Sequence, residues 1–261
     1  MATMLWTLPV PHAAAQDVRY DTGLNAVSGD YASGETSTTL TWNHGIALDL
    51  GHATLRLSIP VVAANETALL TPGGYVPGRG VGTDSTATDQ GGRNSEDGTV
   101  VDGIRVGIGD PVMSFAARLA QTSRGSLGAG LAVKAPVAEA GDLGTGEWDF
   151  GVTLDAMHSA GGAWFVGAGA AWWKLGDPAD LDLRDPFMGT LMLTRIGDHK
   201  AASIICSAAT AAVDGIAAPV SMGAFVSRDL WGGTAGASAT VGLTDGAPDF
   251  TFGLTWGMPL R

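Results

Sequence analysis

Residues 250–260 read Phe250-Thr251-Phe252-Gly253-Leu254-Thr255-Trp256-Gly257-Met258-Pro259-Leu260. Large apolar side chains hold the even positions, and small or polar ones the odd positions. Successive side chains of a β-strand point to opposite faces, so this stretch is a strand with one apolar and one small or polar face. In a soluble sandwich the apolar face meets a core. In a membrane barrel it meets lipid, and the small face lines the lumen.

The same alternation recurs upstream. Val18, Tyr20, Thr22, Leu24 and Ala26 oppose Arg19, Asp21, Gly23 and Asn25. Leu40, Trp42, His44, Ile46, Leu48 and Leu50 oppose Thr41, Asn43, Gly45, Ala47 and Asp49. After Gly51-His52, residues Ala53 to Val61 repeat the pattern, with Thr54, Arg56 and Ser58 on the polar side. Further strands are expected over 113–119, 127–135 and 148–154, and less regular ones near 163–174, 187–197, 200–213, 219–228 and 234–244. The 200–213 segment has helical propensity. The turn signals Gly197-Asp198 and Asp214-Gly215 bound it at strand length. The fold class expected is therefore all-β: a closed antiparallel transmembrane β-barrel of about 12 strands in an up-and-down meander. A soluble sandwich explains the alternation, but not why so many strands oppose their apolar face with Gly, Thr and isolated charges.

Composition agrees. Gly makes up 39 of 261 residues, about twice its usual share. Charged residues are only 15%, too few for a disordered chain of this hydrophobicity. The formal charge of −12 argues against a nucleic-acid partner, which requires a basic face. The single Cys206 rules out an internal disulfide and a cysteine metal cluster. No stretch reaches 18 consecutive apolar residues, so a transmembrane helix is not expected.

Residues 1–15 read as a truncated signal peptide: the apolar Met4–Pro11 precedes Ala13-Ala14-Ala15 and lacks a basic start. Residues 16–261 form the barrel domain. Short links are expected near Ser28–Gly34, Gly51-His52, Gln121–Gly125, Ser159–Gly162, Asp198–Lys200 and Asp229–Gly233. Longer ones fall near 64–103, 136–147, 174–186, 214–218 and 244–248. Barrels of the outer membrane keep short turns on the periplasmic side and long loops outside, so 64–103 is expected to be a long extracellular loop.

Charges on the polar parity are few. Arg19, Asp21, Asp49, Arg56, Arg118, Lys134, Asp149 and Asp155 are the candidate lumen-lining residues. They read either as a paired network that braces the interior or as a constriction that screens solutes. Seven tryptophans (Trp42, Trp148, Trp164, Trp172, Trp173, Trp231 and Trp256) read as interfacial girdle residues. The histidines (His12, His44, His52, His158 and His199) show no metal-ligand spacing, and no nucleophile elbow or P-loop occurs. No catalytic residue, metal or cofactor is expected.

Two segments carry a family resemblance. Gly107-Ile108-Gly109-Asp110-Pro111 opens a strand. Leu131-Ala132-Val133-Lys134-Ala135-Pro136 then leads to Gly141-Asp142-Leu143-Gly144-Thr145-Gly146-Glu147-Trp148-Asp149-Phe150-Gly151. This resembles the MetA-pathway phenol-degradation family of outer-membrane transporters, most specifically over 104–156. Val137-Ala138 departs from the family's Thr-Gly, and the chain lacks the terminal Phe common in outer-membrane proteins. The resemblance implies a barrel in the outer membrane of a Gram-negative bacterium, in contact with lipid and lipopolysaccharide, that passes small, often aromatic or hydrophobic solutes. The rival readings are a lipid-modifying outer-membrane enzyme and a structural or surface-interaction barrel. Lys134 and Asp149 share the lumen parity of neighbouring strands and are expected to pair across them.

Overall fold

The computed structural model describes residues 17–30, 36–65, 68–71, 74–77, 99–101, 104–138, 143–177 and 182–260; over 68–71, 74–77 and 99–101 it describes the backbone alone. The segment 1–15, read as a signal peptide, lies outside the described residues, as does most of 66–98. The long wall strands are β1 (Asp17–Gly29), β2 (Ser37–Asp49), β3 (Ala53–Ala64), β8 (Val112–Thr122), β9 (Gly125–Lys134), β10 (Asp149–Gly161), β11 (Trp164–Lys174), β12 (Phe187–Ile196), β13 (Lys200–Ala209), β14 (Val220–Leu230), β15 (Gly233–Gly242) and β16 (Phe250–Leu260). Shorter pieces are β4 (Ala68–Thr71), β5 (Gly74–Pro77), β6 (Thr99–Val101) and β7 (Ile104–Ile108).

Every wall pair is antiparallel and sequential. β1 pairs with β16 from Val18–Leu260 to Ser28–Phe250, which closes the ring. β7 and β8 occupy one place in the wall, both against β3, so the barrel has 12 strands. Closure leaves no exposed edge, which is what a sheet needs to sit in hydrocarbon. Followed round the ring, the register returns to β1 displaced by a shear of about 14 residues, which on this strand number means a tilt of about 40° and a backbone radius of about 11 Å. Eight-stranded barrels are just filled by their side chains, whereas 16-stranded ones hold an aqueous channel. This barrel falls between.

The alternation has the expected sense. On β16, Phe250, Phe252, Leu254, Met258 and Leu260 are exposed on the outer surface, while Thr251 is buried within. Leu55, Leu57 and Ile59 of β3 and Val152 and Leu154 of β10 likewise face out. At the turn end, Gly161 and Gly162 hold left-handed backbone (φ 104° and 56°), which side chains resist.

Within the long connection after β3, β4 pairs with β5, and β6 with β7. Two expectations are corrected. The link at Ser28–Gly34 lies at the long-loop end, because β1 starts at the turn end and must finish at the other. The thirteenth strand ends at Ala209 rather than near 213, because Thr210 turns to satisfy Phe187, accepting its N–H and donating to its C=O.

Candidate functional site

The inner surface is built on glycines. A Cβ on Gly45 would stand 3.3 Å from the Arg56 guanidinium. One on Gly257 would stand 2.8 Å from Asp21 Oδ1, and one on Gly128 would lie 2.7 Å from Asp155 Oδ1. On Gly151 it would meet the Trp173 ring, and on Gly236 the Phe225 ring. Long side chains thus lie flat across their neighbours' glycines rather than projecting toward the axis. Strand glycine marks such close approach.

Two charged clusters occupy this surface. Nearer the turn end, Arg19 Nε lies 3.0 Å from Asp21 Oδ1 and Arg56 Nη1 lies 3.4 Å from Asp21 Oδ2. β1 and β3 supply these residues across β2. One carboxylate therefore serves two guanidiniums.

The second cluster sits at the loop end. Lys134 Nζ lies 2.9 Å from Asp149 Oδ2 and 3.1 Å from Asp110 Oδ2, and donates to Thr145 Oγ1 at 2.6 Å. The contact with Thr145 is a hydrogen bond, whereas the Oδ2 atoms of Asp110 and Asp149 are held by charge and have no hydrogen-bond partner. Lys134 and Asp149 face each other directly in the β9–β10 ladder, so the expected cross-strand pair is present. The other carboxylate oxygens hold loops. Asp110 Oδ1 accepts the N–H groups of Val137 and Ala138, and Asp149 Oδ1 that of Gly176. The side chains of Lys134, Asp110 and Asp149 are 4%, 5% and 1% exposed, so this is a fully desolvated hub.

Asp110 was not among the candidates read from sequence. It enters the lumen through a bulge. β3 pairs with β7 to Val61–Ile108 and with β8 from Ser58–Val112, so Gly109, Asp110 and Pro111 oppose only Ile59 and Pro60. Prolines on both strands remove ladder donors there, and such a bulge re-aims a side chain. The signal was the Gly109-Asp110-Pro111 run itself.

Beside the hub, Trp173, Leu175, Leu183 and Ala132 form a buried apolar cluster joined by Val112, Met188 and Val213. Trp173 is thus an interior residue and not a girdle one. Adjacent strand residues face opposite ways, so Trp172 and Trp173 cannot both face lipid.

The remaining candidates differ. Arg118 and Asp155 flank Gly128 in the register and take part in no described ion pair or side-chain hydrogen bond. Asp49 is exposed at the turn end, where it accepts the Gly51 N–H at 2.7 Å. His44 faces outward from β2, and its Nδ1 is engaged by Tyr20 Oη at 2.6 Å. Among the described residues no group of three or more His, Cys, Asp or Glu is placed to hold a metal.

No family model matches the chain, and no curated protein does. Among solved structures, the COG4313 outer membrane channel from Pseudomonas putida F1 superposes with a TM-score of 0.71 at 14% identity, over 100% of this chain and 99% of that one. The fold is that of an outer-membrane β-barrel. The translocator domain of the autotransporter NalP from Neisseria meningitidis (TM-score 0.45, 10% identity, 96% and 90% coverage) and the CymD monoaromatic hydrocarbon channel (0.45, 10%, 94% and 89%) are more distant.

Proposed function

We propose that this protein is an outer-membrane channel for passive uptake of small solutes, aromatic and hydrophobic ones included, with no catalytic step. One observation carries the reading: Arg56, Asp21 and Asp155 of a closed 12-strand ring lie against glycines of the inner wall, an arrangement that leaves more room toward the axis than projecting side chains would. A wall meant only to be solid gains nothing from that arrangement, since it would be filled by large apolar side chains. The likeness to the Pseudomonas putida channel supports the reading.

On this reading the outer wall contacts lipid and lipopolysaccharide of a Gram-negative outer membrane, and of the candidate charges Arg19, Asp21, Arg56, Arg118 and Asp155 line the path, while Lys134 and Asp149 are buried in the wall and Asp49 stands at the turn rim. The lipid-modifying alternative needs a nucleophile beside an outward histidine, and His44 is instead engaged by a tyrosine. Planar bilayers holding the refolded protein test the proposal. Discrete conductance steps are expected, with swelling of proteoliposomes by phenols, sugars or fatty acids. Lipid turnover without conductance would overturn it.

A further inference from the structure

Resting on the channel reading above, we propose that Arg19, Asp21 and Arg56 form a station that receives the carboxylate of an amphipathic solute, whose apolar part lies against Ile205 and Phe225. Asp21 Oδ1 accepts a hydrogen bond from Arg19 Nε, and Asp21 Oδ2, which has no hydrogen-bond partner, is in ion-pair contact with Arg56. Each guanidinium carries five N–H donors, most of them not engaged by Asp21. The cluster has one net positive charge and an excess of forked donors, a geometry suited to a carboxylate. Arg19 and Arg56 keep 36% and 22% of their side-chain surface exposed, so those donors are reachable from the lumen.

The register supplies the apolar partner. At a tilt of about 40° each residue climbs about 2.5 Å, which places Asp21 and Arg56 about 10 Å above the turn rim. Ile205 of β13 and Phe225 of β14, inward positions two residues apart in the register, lie at similar depth on the far wall. Other charges of inward parity nearby are Arg118 at about this depth, Asp155 deeper, and Asp17 and Asp49 beside Arg19 at the turn rim, so the positive charge is local to the two guanidiniums of the station.

Bi-ionic reversal potentials in planar bilayers test this, with benzoate and benzylammonium as probes of equal size. Benzoate is expected to be the more permeant by about tenfold, the lower end of electrostatic focusing in a charged cleft. R19Q/R56Q should bring the ratio to about one. D21N keeps both guanidiniums and should raise it. A wild-type ratio at or below one, or a ratio that neither variant moves, overturns the station while leaving the channel standing. Absence of any conductance overturns both.

Discussion

Replacing Lys134 with methionine removes the cation that compensates two buried carboxylates. Asp110 and Asp149 would then face each other with their side chains at most 5% exposed. Breaking a buried ion pair from one side costs about 3–5 kcal/mol, because the partner charge stays desolvated. The lost donation to Thr145 adds about 1 kcal/mol. K134M should therefore lose about 4 kcal/mol or more of stability. The triple variant K134M/D110N/D149N removes all three charges and should regain most of the loss, since neutral replacement of a buried ionic group is often near neutral. Reversible urea unfolding of protein folded into lipid vesicles, followed by tryptophan fluorescence and by heat-modified gel migration, measures both. A loss under 1 kcal/mol for K134M, or a triple variant no more stable than the single, would refute the hub as a buried electrostatic tie.

Gly128→Ala should lift the Asp155 carboxylate off the wall, because the new methyl would stand 2.7 Å from its Oδ1. Single-channel conductance should fall and cation preference rise, with stability changed by less than about 1 kcal/mol, since a flexible side chain yields rather than backbone. Trp173→Ala should cost about 3–5 kcal/mol by emptying the apolar cluster at the loop end, and should raise conductance there; vesicle unfolding and bilayer recording read the two. Leu254→Arg should destabilise the barrel by about 2–4 kcal/mol on the lipid face, whereas Thr255→Arg, one residue on and facing in, should cost far less in the same unfolding assay.

The strands were legible because period-2 patterning survives wherever side chains are large. Phe250 to Leu260 fixes its own facing, and so do Leu55, Leu57 and Ile59. The Lys134–Asp149 pair was legible too, since both residues hold the inward parity at the ends of strands joined by one loop. Asp110 was not. A bulge shifts parity by one residue, and sequence periodicity carries no mark of where that shift falls except Gly109 and Pro111 beside it. Trp173 was misread as a girdle residue because aromatic identity was weighed above its parity beside Trp172. The link after β1 was misplaced for a similar reason: its length was weighed above the strand count, which fixes its end of the barrel. The glycine beds were unreadable, since a bed under Arg56 or Asp155 exists only once the register sets Gly45 and Gly128 beside them.

The most direct test is a single-cysteine scan of 250–260 in a C206A background, since native Cys206 is exposed on the outer surface. Each position is spin-labelled in protein folded into vesicles, and its collisions with oxygen and with a water-soluble nickel chelate are compared. Oxygen should dominate at Phe250, Phe252, Leu254 and Met258, and the nickel chelate at Thr251, Gly253, Thr255 and Gly257. Uniform accessibility, or the opposite alternation, would contradict the account.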